Sequence, residues 1–173
     1  MIIVNLFGSP GSGKSTGAAY IFSHLKMLGV NAELVTEFAK DKVWENSVDV
    51  LNDQMYVFGT QHHRINRCAD KVDVIVTDSP LLLSAIYNKS DLLGEEFNDL
   101  VAKIAKSYTS VNYFITRSKP YNPIGRLHTE EESATISQDI KELLKKYNVS
   151  YSECPGDIVG YSKICADVCS LLI

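Results

Sequence analysis

At 173 residues, 45% of them hydrophobic and 22% charged, the chain has room for one sizeable core and is neither disordered nor fibrous in composition. A formal net charge of -4 does not suggest general affinity for a nucleic acid backbone and points to local basic grooves for any such contact. No apolar run approaches the ~20 residues that span a bilayer, and the N-terminus lacks the basic start and cleavage site of a secretory leader, so a cytoplasmic protein without membrane contact is expected.

Short apolar runs alternate with longer helical patterns along the chain. Ile2–Phe7 reads as the first strand. A glycine-rich loop follows, and then a helix from Lys14 to about Leu28, closed by Gly29 in the usual C-terminal position. Ala32–Thr36 is the second strand, and a helical region runs from about Asp49 to Ala69. Val72–Thr77 is a third strand, apolar enough for burial on both faces, and Asp78-Ser79-Pro80 ends it. A helix over Glu95–Ser107 precedes the fourth strand, Val111–Thr116. A polar, proline-bearing segment, Arg117–His128, interrupts the pattern. Helix resumes over Thr129–Tyr147, where Thr129-Glu130-Glu131-Glu132 resembles a capping box. Val149–Ser152 reads as the fifth strand and Asp157–Leu172 as the last helix.

This alternation predicts an α/β fold in one domain, residues 1–173, with a five-stranded parallel sheet and helices on both faces. Ligands of such sheets sit beyond the carboxyl ends of the strands. Polar motifs fall at four of the five predicted ends. Cys68, Cys154, Cys165 and Cys169 make no C-x-x-C pair, and no nearby histidine completes a metal set. They read as small side chains in a reducing compartment.

Gly8-Ser9-Pro10-Gly11-Ser12-Gly13-Lys14-Ser15 matches G-x-x-x-x-G-K-[ST]. Glycines permit positive φ and close approach of the main chain to an anion, so successive N–H groups point into one concavity. The helix that starts near Lys14 aims its positive dipole end at the same place. Lys14 is expected to bridge the terminal phosphates of ATP and Ser15 to ligate Mg2+, while Thr16 contacts the α-phosphate side or caps the helix.

Two acids follow strands. Asp78 ends the third strand, where it can hold the Mg2+ water shell, cap the next helix, or do both. Glu37 follows the second strand and can accept a proton from a substrate hydroxyl, with Asp41 one turn further on able to share that work. The segment 117–132 carries Arg117, Lys119 and Arg126 among prolines and a glycine. It reads as a lid whose arginines neutralise charge on a transferring phosphoryl group, or as a rigid surface loop. Acceptor contacts are expected from the helix over 53–67. Gln54 and Gln61, seven positions apart, share a helix face and offer donor and acceptor together, as a nucleobase edge requires; Arg64 stands nearby. His62 and His63 point apart and are assigned no metal.

Taken together, Gly8–Ser15, Thr36-Glu37-Phe38-Ala39-Lys40-Asp41, Asp53-Gln54, Thr77-Asp78-Ser79-Pro80 and Arg117–Arg126 resemble the small phage-type AAA-domain P-loop kinases. These are similar to the ribosylnicotinamide kinase domain and, more distantly, to deoxynucleoside kinases. The resemblance spans almost the whole chain. It implies a P-loop NTPase three-layer sandwich, ATP with Mg2+, and an acid near Glu37 that activates an acceptor hydroxyl. It also keeps 5-hydroxymethyluracil within DNA in view as an acceptor. The chain lacks the Asp-Arg-(Tyr/Ser) nucleoside-monophosphate signature, which argues against ordinary thymidylate kinase activity.

The leading expectation is transfer of the ATP γ-phosphate to a hydroxyl of a nucleoside-like acceptor, free or within DNA. A DNA acceptor would call on a positive strip of Arg64, Arg67, Lys89 and Lys119. The alternative is a nucleotide-dependent ATPase or switch that acts on a protein partner. Self-association is left open.

Overall fold

A computed structural model describes residues 1–122 and 129–172. Five strands, β1 (Ile2–Phe7), β2 (Ala32–Val35), β3 (Val74–Thr77), β4 (Ser110–Thr116) and β5 (Ser152–Pro155), form one sheet in the order β2-β3-β1-β4-β5. Every pairing is parallel. The helices are α1 (Lys14–Met27), α2 (Phe38–Trp44), α3 (Gln54–Asn66), α4 (Ser84–Tyr87), α5 (Gly94–Lys106), α6 (Glu130–Lys146) and α7 (Ile158–Ser170), with 3-10 turns at Val48–Asn52 and Leu81–Leu83.

The period-2 alternation of the strands divides the core into two layers. Val4, Leu6, Val74, Val76 and Ile115 face Ile21 and Leu25 of α1 and Ile164 and Val168 of α7. Ile3, Phe7, Ile75 and Phe114 face Phe58 and Ile65 of α3, Val101 of α5 and Ile140 and Leu144 of α6. All four residues of β3 are buried, as a strand flanked by neighbours and covered on both faces must be. β1 lies at the centre of the sheet, and the register Asn5↔Thr77 places the end of β3 beside the loop that leaves β1. The expected α/β sandwich is present.

Local departures have physical causes. The fifth strand is displaced from 149–152 to Ser152–Pro155 because its partners on β4 are Tyr113 to Thr116. Val149 and Tyr151, which suggested the earlier start, pack instead against the sheet-facing core. Pro155 fits an edge strand, where a missing N–H breaks no ladder. The helical region over 49–69 is divided at Asp53, whose side chain accepts a hydrogen bond from Tyr56 N at 3.0 Å and so starts α3 afresh. α2 and α4, of seven and four residues, are too short to have shown a periodic signal.

The capping box of α6 is present: Glu132 N donates to Thr129 Oγ1 at 3.2 Å, and Thr129 N donates to Glu132 Oε2 at 2.7 Å. Thr129→Ala is expected to lower the unfolding free energy by about 1 kcal/mol, the usual loss of an N-cap, measured as a shift of the urea midpoint.

Candidate functional site

The loop from β1 to α1 takes its shape from main-chain conformation. Gly8 has φ 142° and Gly13 φ 103°. A Cβ on Gly8 would lie 2.7 Å from the Ile115 carbonyl oxygen, and one on Gly13 would lie 2.5 Å from the Tyr161 hydroxyl. Both positions therefore require glycine on conformational and steric grounds together. Tyr161 of α7 donates its hydroxyl to Gly13 O at 2.9 Å and thereby fixes the loop's last residue before α1. The Lys14 ammonium folds back over the loop, donating to Gly8 O at 2.7 Å and Ser9 O at 3.0 Å. Ser15 and Thr16 are exposed at the start of α1. Ser12 is buried, and its hydroxyl has no hydrogen-bond partner among the described residues.

Asp78 follows β3 directly and is only 3% exposed. Its Oδ1 also has no hydrogen-bond partner among the described residues. A buried carboxylate oxygen in that condition is costly unless a ligand completes it.

A cleft of about 490 Å³ opens beside the loop, lined on one side by Gly13, Lys14, Ser15 and Thr16 and on others by Glu37, Gln54, Gln61 and Tyr87. Glu37 leaves β2 and caps α2 with its backbone only, so its side chain makes no cap hydrogen bond. Burial pushes its carboxyl above the usual range; Lys14 and Lys40 oppose the rise, and Asp78 and Asp41 add to it. The Tyr87 hydroxyl is raised as well, first by burial and then by the charge of Glu37.

The chain on both sides of Glu37 is held by α3. Gln61 Oε1 accepts from Phe38 N at 3.0 Å, and Gln61 Nε2 donates to Thr36 O at 3.3 Å. Arg64 Nη1 donates to the same Thr36 oxygen at 3.3 Å. The amide of Gln61 is thus engaged with backbone, and only Gln54 of the expected glutamine pair has an unused atom. Gln54 is 5% exposed; its Nε2 donates to Leu51 O at 2.7 Å, and its Oε1 has no partner among the described residues.

Not every candidate is brought to the cleft. Asp41, expected to share work with Glu37, pairs instead with Arg64 at 2.5 Å, and neither side chain lines the cleft. Arg117 is turned toward α6: it donates to Glu130 and Ser133, each at 2.7 Å, and its guanidinium lies over the Tyr121 ring. Ser133 passes the connection on by donating to Pro10 O at 2.8 Å. Arg126 and the middle of the expected lid lie outside the described residues. Tyr87, Ser133, Tyr161 and Trp44 had no signal in the sequence, because their neighbours come from distant elements. Among the described residues no group of three or more His, Cys, Asp or Glu could hold a metal, and no helix is long and apolar enough to cross a membrane. Of the four cysteines, Cys68, Cys154 and Cys165 are buried; all four are unbridged.

A family model described as an AAA domain matches residues 3–159. No curated protein matches in sequence. Among solved structures, a thymidylate kinase from Ehrlichia chaffeensis shares 13% identity over 99% of this chain and 98% of its own, with a TM-score of 0.63. A deoxyadenosine kinase from M. mycoides with bound dATP shares 14% identity over 97% and 99%, with a TM-score of 0.58. The same enzyme with dCMP and dCDP bound gives 16% identity over 97% and 99%, with a TM-score of 0.59. At these identities the likeness is one of fold.

A carboxyl whose folded pKa is raised binds its proton more tightly folded than unfolded. Its ionisation therefore erodes stability as pH climbs from the ordinary carboxylate range through the raised value, and the deficit persists above it. Glu37→Gln is expected to have a higher thermal midpoint than the parent at about pH 8, with the difference vanishing by about pH 4, below both pKa values.

Proposed function

The chain belongs to the AAA-domain family, and from that premise we propose that it is a kinase, a single domain that moves the γ-phosphoryl group of ATP to a hydroxyl of a nucleoside-like acceptor. The observation that carries this reading is the shared cleft: a phosphate loop and a desolvated carboxylate line the same cavity, together with Gln54, whose amide oxygen has no partner among the described residues. An ATPase or switch acting on a protein needs a water-positioning group but no such acceptor chamber.

In this reading the loop amides, the α1 dipole and Lys14 grip the polyphosphate. Gln54 lines the cleft, and on acceptor binding its Oε1, buried without a partner among the described residues, turns to accept from an N–H on a nucleobase edge. Gln61 and Arg64 hold Thr36 and Phe38 and so set the direction of Glu37. Glu37 takes the proton of the acceptor hydroxyl; the acceptor oxygen bonds to the γ-phosphorus as the bond to the β,γ-bridging oxygen breaks, and ADP leaves with that electron pair. A raised pKa suits a base that works near neutrality. Most of the acceleration comes from alignment and electrostatics.

Ser15 and Asp78 are the residues that would hold Mg2+, and the unpartnered Asp78 Oδ1 is the feature that fits a cation. Such an ion neutralises charge on the phosphate oxygens. Segment 117–132 acts as the lid, Arg117 and Arg126 supplying further positive charge on closure. Arg117 is tied to the loop through Ser133 and Pro10, which gives the lid a route by which to sense an occupied loop. The acceptor is a free nucleoside or nucleotide, or 5-hydroxymethyluracil in DNA; each presents a hydroxyl to the same carboxylate.

The deciding measurement is a radiolabelled-ATP transfer screen against nucleosides, nucleotides and modified DNA. Label is expected in an acceptor, with little ATP hydrolysis in its absence; rapid acceptor-independent hydrolysis with no labelled acceptor would return the protein to the switch class. Lys14→Ala is expected to weaken nucleotide binding and abolish transfer. Glu37→Gln should bind nucleotide as the parent does while kcat falls roughly 10²-fold or more; full turnover in that variant would remove Glu37 as the base.

A further inference from the structure

Trp44 is the chain's single tryptophan. It is 62% exposed, yet it lines the cleft. One helical turn earlier on α2 stands Lys40, so the two side chains share a face. Lys89, just past the end of α4, is exposed and lines the same cleft. Lys42, between them on α2, pairs with Glu45 at 2.5 Å and does not line the cleft. Lys40 and Lys89 make no ion pair among the described residues.

Charge and apolar surface point the same way. The charged side chains that line the cleft are Lys14, Lys40 and Lys89 against Glu37 alone, a positive excess within a chain of formal net charge -4. Lys14 is occupied by the phosphate loop. Lys40 and Lys89 come from α2 and from the chain after α4 and not from that loop, and so provide for a second anion. Val43 and Leu51 extend the apolar surface beside Trp44. A large aromatic face left in water at the edge of a cavity, with two lysines on the same cavity that make no ion pair among the described residues, has the composition of a stacking platform with phosphate contacts.

We propose that Trp44, Lys40 and Lys89 form a subsite for a phosphate-bearing acceptor, the indole stacking on a base and the two ammonium groups holding its phosphate. The inference rests on the kinase reading and narrows it: a neutral nucleoside would leave Lys89 without a counter-charge and Lys40 with the Glu37 carboxyl alone. Base plus phosphate is the recognised chemistry, whether in a free nucleotide or in a nucleotide within a strand. Stacking tolerates any base, so this subsite selects for charge and ring and leaves base identity to Gln54.

The single tryptophan makes the test direct. The full chain is saturated with MgADP, whose binding is established separately by calorimetry, and is titrated with the four deoxynucleosides, their 5′-monophosphates and a short mixed-sequence single strand while Trp44 fluorescence is followed. Loss of MgADP binding would fail the kinase reading itself, whereas the subsite is judged on the second titration alone. At least one phosphate-bearing probe is expected to quench Trp44 and to bind about tenfold or more tighter than its nucleoside, the gain of one charge-assisted contact. Saturation by a monophosphate identifies the free nucleotide as the source, and saturation by the strand alone identifies nucleic acid. In Lys40→Ala/Lys89→Ala the advantage over the nucleoside should disappear while MgADP affinity is kept. Trp44→Ala, followed by calorimetry, should bind the same probe about tenfold more weakly, within the range for one lost base stack. Equal affinity for nucleoside and nucleotide, absence of quenching by every phosphate-bearing probe, or retained discrimination in the double lysine variant overturns the proposal.

Discussion

The turn between β1 and α1 depends on main-chain conformations that side chains would forbid. At Gly8 and Gly13 the backbone adopts positive φ, and a Cβ would strike the Ile115 carbonyl oxygen or the Tyr161 hydroxyl. The loop is therefore shaped from outside as well as from within. β4 supplies Ile115 on one flank, and α7 supplies Tyr161, whose hydrogen bond to Gly13 O sets where the first turn of α1 begins. The parallel sheet puts β1 between β3 and β4, so Asp78 after β3 and Arg117 after β4 both leave the sheet at the edge from which this turn starts. The geometry of this turn is a property of the packed sheet and of the elements that flank it.

Around that loop the protein concentrates unfavourable electrostatics. Glu37 is raised by burial despite Lys14 and Lys40, while Asp78 Oδ1, Ser12 Oγ and Gln54 Oε1 lie buried without partners among the described residues. Each is costly in a resting protein and useful to one that completes its hydrogen bonding with a ligand. By contrast, several polar groups on the strand and helix ends are engaged with protein partners, although Arg117 Nε is buried without one among the described residues. Gln61 uses both ends of its amide on the strand-to-helix turn, Arg64 joins Thr36 O to Asp41, and Arg117 is anchored on Glu130 and Ser133.

The cleft brings several chemistries together: the loop residues Gly13 and Lys14, the carboxyl of Glu37, the amides of Gln54 and Gln61, Tyr87, and the exposed Trp44, Lys40 and Lys89. α2 supplies two of the exposed three. Only Phe38 of its seven residues is buried, so the helix adds little to the core and is held through its first turn by Gln61. Of its remaining side chains, Asp41 pairs with Arg64 of α3, while Lys40, Val43 and Trp44 line the cleft.

The sequence alone determined the phosphate loop, the α/β alternation, the places of Glu37 and Asp78 after their strands, and the capping box at Thr129. Each is encoded by neighbours in the chain: a spaced glycine pattern, a period of two or 3.6, or a polar residue where an apolar run stops. The tertiary structure alone decided the partners. It paired Asp41 with Arg64 away from the cleft, turned Gln61 to the backbone while Gln54 kept an unused oxygen, moved β5 onto the register of β4, and brought Trp44, Lys89, Ser133 and Tyr161 to the site. Side-chain direction and long-range contact arise from packing between elements distant in sequence, and no local pattern of residue types carries that information.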